Sequence, residues 1–210
     1  MVKKIILSAL IAFGISKSYS QNNVEFGLSG SYINSTISSS SSNTTSGSTN
    51  YSSKSGFGFG AFFNLPFDKN WSIQPSLNYQ RLGSNITGYF FNTSYNVNVN
   101  FTASYFTIPV LARYTFTHSD FTLLAGPQYD ILLDASKNIG GSSTKIKDNF
   151  KSSGFTAVGG AEYRLPFMNK KFGIGAKYQY GLSNIVKDET NNGNKSMKNR
   201  SIVASIFYTF

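Results

Sequence analysis

The stretch Tyr105–Phe116 alternates with a period of two, and this pattern constrains the fold more than any other part of the sequence. Its even-numbered residues, from Phe106 onward, are apolar or aromatic, whereas the odd-numbered ones include Thr107 and Arg113. Because alternate residues of a β-strand point to opposite faces, one face is wholly apolar and the other carries an arginine in mid-strand. A charged group there needs water or a partner charge. A membrane-spanning barrel supplies both surroundings, with lipid outside and a polar interior.

Residues 1–20 have the composition of a cleavable signal peptide. Lys3 and Lys4 form a basic start, residues 5–15 form an apolar run, and small residues follow where a signal peptidase cuts. This run is too short for a membrane-spanning helix, which needs roughly 20 apolar residues, and no longer run follows it. We therefore expect export through a signal peptide and one outer-membrane β-barrel domain over residues 21–210.

The charge and cysteine content exclude several classes of protein. The sequence has no cysteine, so it forms no disulfide and carries no lipid on a cysteine. Loss of Lys3, Lys4 and Lys17 with the signal peptide leaves 16 of the 19 basic residues against 9 acidic ones, a net charge of +7. The remaining basic residues are dispersed and form no tract, so we expect no nucleic-acid partner. Dispersed loop lysines suit outer-membrane lipid and the phosphates of lipopolysaccharide, or serve solubility alone.

Eight alternating segments, three tight turns and four long polar loops are predicted along the chain. The predicted strands span residues 23–33, 55–65, 71–83, 97–116, 121–134, 153–165, 172–184 and 198–210. The tight turns span residues 66–70, 117–120 and 166–171, and the loops span residues 34–54, 84–95, 135–152 and 185–197. Outer-membrane barrels show this difference between short turns on one side and long loops on the other. The predicted fold class is therefore all-β, an eight-stranded antiparallel transmembrane β-barrel.

The fourth predicted strand contains a change of phase. Its apolar residues are odd-numbered as far as Tyr105 and even-numbered from Phe106 onward. One extra residue in a strand produces such a change, so we expect a β-bulge within residues 104–107.

With these segments in place, the chain resembles the Bacteroidota outer-membrane β-barrel family, often labelled porin-family or PorT-like. The likeness rests on residues 105–114, on residues 124–127, on residues 180–185 and on the terminal Phe210. Thr107 stands where the family commonly has a glutamate. The resemblance implies an outer-membrane barrel whose last residues, Tyr208 and Phe210, are the assembly signal for the barrel-insertion machinery. It also implies a secretion-system or surface partner, which the sequence does not identify.

No enzyme, cofactor or metal site is predicted. The single histidine, His118, lies in a predicted turn with no acidic neighbour except Asp120. Asp130 and Asp134 share the lumenal face of the fifth predicted strand but are roughly 13 Å apart, too far for a glycosidase pair. A calcium loop beginning at residue 188 would need a glutamate where Asn199 stands.

Six charged residues fall on the predicted inward faces of the strands. They are Glu25, Arg113, Asp130, Glu162, Arg164 and Lys177. Eight strands leave an interior just wide enough for side chains to fill, so three acids and three bases there predict a plug held by ion pairs. We expect Arg113 to pair with Glu162 or Glu25, since Thr107 cannot supply a carboxylate.

Aromatic residues cluster beside the predicted tight turns. Such rings favour the membrane interface, so we expect a lipid-facing girdle at the turn end of the barrel. Its predicted members are Phe67, Trp71, Phe116, Phe121, Phe172, Tyr208 and Phe210.

Three functions fit these predictions. The first is a small outer-membrane barrel that acts as a membrane anchor or surface interaction module with a plugged lumen. The second is a narrow porin for small solutes or, by analogy with the resembled family, a secretion-system assembly factor. The third is a soluble lipocalin-like barrel, in which the apolar faces would point inward.

Overall fold

The structure is a computed structural model that describes residues 24–40, 47–90, 97–166, 168–187 and 196–210. The predicted signal peptide and the considered calcium loop at residues 188–193 lie outside these residues. Within them the chain forms nine strands and two single-turn 3-10 helices. The strands are β1 (Glu25–Ser40), β2 (Gly47–Pro66), β3 (Trp71–Phe90), β4 (Val97–Thr115), β5 (Phe121–Ile139), β6 (Ser142–Lys145), β7 (Ser153–Arg164), β8 (Phe172–Gly181) and β9 (Ser196–Thr209). The 3-10 helices span Lys147–Asn149 and Met168–Lys170. No helix in the described ranges is long and apolar enough to cross a membrane.

Eight of the strands close into an antiparallel barrel, which confirms the predicted fold class. The strands follow one another in chain order around the barrel, and β1 pairs with β9 to close it. The remaining strand, β6, pairs only with the end of β5, along the part of β5 that β7 does not reach. Closure leaves every barrel strand with two neighbours, so the backbone donors and acceptors are paired without an exposed edge.

The alternation of the sequence places large apolar side chains on the outside of the barrel. In β1, Phe26, Leu28 and Tyr32 are exposed, whereas Ile33 is fully buried in the interior. The other strands repeat this arrangement, with Ile206 of β9 67% exposed. A soluble barrel would have these side chains inside, so the lipocalin-like alternative is wrong.

The three tight turns are at the predicted positions, but the strands extend much further at the opposite end. The predicted loop over residues 34–54 is wrong for most of its length, because β1 continues to Ser40 and β2 begins at Gly47. β3 likewise continues to Phe90 through part of a predicted loop. Backbone pairing does not depend on side-chain polarity, so a Ser- and Thr-rich segment continues the ladder where a neighbouring strand is available. We call the two ends of the barrel the turn end and the loop end.

The predicted bulge lies in the neighbouring strand and not in β4. β4 pairs with β3 in one continuous register, whereas its register with β5 shifts between Ser104 and Tyr105 because Leu133 is an extra residue in β5. The apolar residues of β4 change phase because the interior of the barrel is itself apolar toward the loop end, and Phe101 and Tyr105 point into it. The prediction that Asp134 faces the lumen is also wrong. The extra residue Leu133 shifts the alternation of β5 and turns Asp134 to the exposed outer face.

Candidate functional site in the barrel lumen

A buried cluster of three charges occupies the turn-end half of the lumen. Glu162 of β7 accepts a hydrogen bond from Nη2 of Arg113 at 2.8 Å and forms an ion pair with Nζ of Lys177 at 2.9 Å. The side chains of Arg113 and Glu162 are 2% and 4% exposed, respectively. Each carboxylate oxygen therefore has its own cation, so the acid is fully paired although it is removed from water.

The strands that carry these charges provide the space for them. Arg113 lies in β4 and Glu162 in β7, so the arginine reaches across β5 to its partner. A Cβ atom at Gly160 would overlap the carbonyl oxygen of Ala176 and lie 3.0 Å from Cγ of Lys177, and one at Gly175 would lie 3.0 Å from Cγ of Glu162. Glycines at these two positions thus make room for the long side chains of the cluster.

A second ion pair lies nearer the turn end. Arg164 of β7 donates two hydrogen bonds to the carboxylate of Glu25 in β1, and Asn64 of β2 donates a third at 2.9 Å. Both charged side chains are partly exposed. This pair joins opposite parts of the wall across the turn-end mouth of the lumen.

Glutamines and two small cavities occupy the middle of the lumen. Ser201 donates to Gln179, which in turn donates to Gln128, so a hydrogen-bonded chain links β9, β8 and β5. The cavities on either side of Gln128 have volumes of about 40 Å³ and about 20 Å³. Spaces of this size hold a few water molecules at most.

Asp130 lies beside the smaller cavity and does not join the charge cluster. It accepts hydrogen bonds from Nε2 of Gln128 at 2.7 Å and from the hydroxyl of Thr156. Among the described residues no cation forms an ion pair with it. Five of the six predicted lumenal charges are thus in two ion-paired groups, and the sixth is held by neutral donors.

An apolar cluster fills the loop-end half of the lumen, which the sequence analysis did not foresee. Its buried members are Ile33, Ile37, Leu82, Phe101, Ala103, Tyr105, Leu132, Ala135 and Val203. The signal for it is present in the odd-numbered apolar residues at the start of β4, which the predicted bulge would have kept on the outer face. A wholly polar interior, which the prediction required, is therefore wrong for this half of the barrel.

The segment that follows β6 covers this cluster, and we call it the cap (residues 146–152). The ring of Phe150 lies 5.1 Å from that of Phe101, and Ile146 also packs against the cluster. Backbone hydrogen bonds of 2.9 Å from Ile146 to Ala135 and of 2.8 Å from Lys151 to Ile185 fix the cap to the wall. The loop-end mouth of the lumen is therefore covered by packed apolar side chains.

The aromatic residues predicted for a girdle lie at the turn end, on or near the outer face. Trp71, Phe116 and Phe121 are exposed, as are Phe67 and Phe210. Two further members, Phe172 and Tyr208, are partly exposed, and their ring centroids lie 4.8 Å apart. Two rings outside the predicted set contact its members, namely Tyr114 and Phe26, and Phe63 in turn contacts Phe26.

The described residues offer few groups for catalysis or metal binding. His118 is exposed in a turn with a positive φ of 65°. In the described part of the chain no three His, Cys, Asp or Glu residues are grouped so that they could hold a metal ion. The lumenal side chains link the strands of the barrel and fill the space that the strands enclose.

Comparison with known proteins agrees with this architecture. Residues 19–187 match the family described as outer membrane protein beta-barrel domain. Neisserial surface protein A (NspA) is similar in structure, with a TM-score of 0.52 and 16% identity over 90% of this chain and 100% of that one. The attachment invasion locus protein Ail of Yersinia pestis gives a TM-score of 0.49 and 17% identity over 90% and 100% of the two chains. OprG from Pseudomonas aeruginosa gives 0.48 and 15% over 89% and 95%.

The family match extends over residues 19–187, well beyond the short motifs noted in the sequence. Comparison with curated protein sequences finds no significant match. At 16% identity, the similarity to NspA shows a shared fold alone. Because residues 19–187 make up most of the sequence, the chain belongs to the outer membrane protein beta-barrel domain family and resides in a bacterial outer membrane.

Proposed function

We propose that this protein is a non-enzymatic membrane anchor and surface interaction module whose lumen does not conduct solutes. The observation that carries this proposal is the filled interior. Glu162 with its two cations occupies the turn-end half, and the apolar cluster under the cap occupies the loop-end half. An eight-stranded barrel has no room for a continuous water channel beside so many side chains.

The proposed orientation places the loop end outside the cell. In outer-membrane barrels the short turns face the periplasm and the long connections face outward. The walls are also unequal, since β2 and β3 have 20 residues each, whereas β8 has 10. The long hairpins of β1 to β4 would therefore stand above the membrane and offer a surface to a partner.

The proposed route to the membrane combines export through the signal peptide at residues 1–20 with delivery to the barrel-insertion machinery. The resemblance to the Bacteroidota PorT-like proteins supports this route and a secretion-system or surface partner for the outer hairpins. Outer-membrane lipid and lipopolysaccharide would surround the apolar outer face.

Conductance of the purified protein tests the proposal. The protein is inserted into planar bilayers, with a larger porin as the positive control for the measurement. We expect no steady current, because both halves of the lumen are filled. Reproducible single-channel steps from folded protein, verified by its heat-modifiable migration on gels, would overturn the proposal in favour of a narrow porin.

A further inference from the structure

The lipid-facing surface ends abruptly on the outer side of β2, β3 and β4. Among the side chains that the structure describes on β2, β3 and β4, Phe57, Tyr79 and Phe106 are the last large apolar ones of this face toward the loop end. The next described outward side chain of β3 is Arg81, which pairs with Phe57 in the β2 ladder. This is the level at which the hydrocarbon of the membrane gives way to the headgroups.

Four hydrogen-bond donors converge on this boundary, and we call them the donor patch. Its members are Lys54, Arg81, Thr102 and Ser104. Nζ of Lys54 donates to Oγ1 of Thr102 at 2.8 Å, and Ser104 lies opposite Arg81 in the ladder. The hydroxyl of Tyr79 donates to Oγ of Ser104 at 3.0 Å. Both patch hydroxyls already accept a hydrogen bond, so each is free to donate its own proton.

The position of Lys54 depends on a glycine. Its stem lies across Gly83, where an added Cβ would be 2.7 Å from Cδ of the lysine. The register of β2 against β3 shifts between Ser53 and Phe57, and this irregularity contains Lys54. The ammonium group is thereby held along the outer wall instead of extending freely into solvent.

The donor patch has no counter-charge of its own. Among the described residues no carboxylate forms an ion pair with Lys54 or Arg81. The nearest acid by register is Asp134, which lies opposite Ser104 on the next strand. Two cations and two hydroxyl donors that lack an anionic acceptor have the chemistry of a phosphate site.

We propose that the donor patch binds a phosphate group of a glycolipid in the outer leaflet of the membrane. The location at the headgroup boundary indicates a lipid, and hydroxyl donors beside the cations suit the sugar as well as its phosphate. The proposal relies on the orientation proposed above, but it does not depend on whether the lumen conducts. The proposed site is a single location on the outer face of β2, β3 and β4. It therefore differs from a general attraction between a basic protein and an anionic surface.

Binding of bisphosphorylated lipid A to the folded protein in detergent, measured by native mass spectrometry, tests the proposal. The test variant is Lys54→Gln with Arg81→Gln, and the matched control is Lys145→Gln with Lys147→Gln, which removes one exposed charge from β6 and one from the cap. Each cation at an anionic membrane surface contributes roughly a factor of five, so the test variant should bind about 25-fold more weakly. The control should bind within about twofold of the unmodified protein.

A charge-neutral variant separates position from charge. Thr102→Val removes the hydroxyl that holds Lys54 and leaves every charge in place. It should weaken binding by about two- to tenfold, the value of one hydrogen bond. Asp134→Asn should strengthen binding, because it removes the nearest negative charge.

The choice of lipid distinguishes the sources of phosphate. Lipid A without phosphates, phosphatidylglycerol and inorganic phosphate should each bind more weakly than bisphosphorylated lipid A. Equal losses in the test and control variants, or equal binding of the lipid without phosphates, would overturn the proposal. Because the measurement uses detergent, it does not depend on orientation or conductance, so a failure here is distinct from a failure of the proposed function.

Discussion

At the scale of single residues, the most consequential side chain is Glu162, because a buried arginine and a partly exposed lysine both depend on it. Arg113 and Lys177 each contact a different oxygen of its carboxylate. Removal of Arg113 alone would leave the acid with Lys177, so it is the less damaging change. Removal of the acid leaves two positive charges in the lumen without a partner.

Glu162→Gln should therefore lower the free energy of unfolding by about 3 to 5 kcal/mol, the cost of breaking a buried ion pair on one side. Arg113→Ala should cost less than Glu162→Gln. Lys145→Ala, in the exposed hairpin strand β6, serves as the surface control and should leave stability almost unchanged. Urea midpoints in detergent measure all three. Equal small shifts would indicate a water-filled lumen in place of a closed one.

Two glycines in the lumen accommodate aromatic rings from neighbouring strands. A Cβ atom at Gly27 would overlap the ring of Phe62, and one at Gly173 would overlap the ring of Phe207. The two rings meet edge to face with centroids 6.0 Å apart. The absence of two side chains thus permits one buried aromatic contact.

Gly27→Ala should destabilise the barrel by about 1 to 3 kcal/mol, because the ring of Phe62 must move out of its place. Gly30→Ala in the same strand is the matched control, since no atom lies within 4 Å of its added Cβ. Thermal unfolding in detergent compares the two variants. If both variants unfold at the same temperature, the ring of Phe62 relaxes without loss and the packing argument fails.

At the scale of elements, the bulge in β5 changes which face its residues occupy. Leu132 is buried and Ala135 is buried, while the two residues between them are both exposed. Beyond the bulge the ladder with β4 resumes in a shifted register as far as Ile139. The extra residue Leu133 is therefore absorbed without disturbing the strand on either side of it.

Deletion of Leu133 should leave a folded barrel, because the alternation of β5 becomes continuous and no other residue changes face. Deletion of Ala125, in the regular part of the same strand, should prevent folding, because it turns Gln128 and Asp130 toward lipid. Heat-modifiable gel migration distinguishes folded from unfolded protein. A folded Ala125 deletion would show that the lipid-facing alternation of this strand is not required.

The C-terminal strand β9 ends in an aromatic cluster at the turn end. The backbone N–H of Phe210 donates to the carbonyl of Phe26 at 2.9 Å, and the ring of Phe210 packs against Phe26 and Tyr208. Deletion of Phe210 should reduce insertion into the outer membrane while export continues, so that unfolded protein accumulates in the periplasm. Cell fractionation measures both pools. Normal amounts of the truncated protein in the outer membrane would refute a role of this residue in assembly.

At the scale of the whole molecule, two constrictions lie in series along the lumen. The charge cluster around Glu162 closes the turn-end half, and the apolar cluster with the cap closes the loop-end half. The glutamine layer with its small cavities lies between them. For a solute to cross, both constrictions would have to open.

Opening one constriction should therefore not create a channel. Ile146→Ala with Phe150→Ala opens the cap, and Arg113→Ala with Glu162→Ala opens the charge cluster. We expect no steady current in planar bilayers from either double variant, because the remaining apolar cluster and the glutamine layer still fill the lumen. Steady current through the cap variant alone would show that the charge cluster does not close the lumen.

The sequence by itself determined the fold class, the three tight turns and the outer face of the strands in the turn-end half of the barrel. These features depend on the alternation of neighbouring residues and on local turn chemistry, so they can be read from short stretches. Phe26 and Leu28 alternate with Glu25 and Gly27 whatever the rest of the chain does. The inward charges were identified in the same way.

The tertiary structure alone decided which of those charges meet and how the lumen is filled. Arg113 pairs with Glu162 and not with Glu25 because register and strand tilt set the height of each side chain in the barrel, and neither is encoded locally. The phase change of β4 reflects the apolar interior, whereas the bulge lies in β5, so the residues of β4 alone could not locate it. Phe101 of β4 and Phe150 of the cap meet only when β4, β5 and β6 are paired, since that pairing brings the segment after β6 over the lumen.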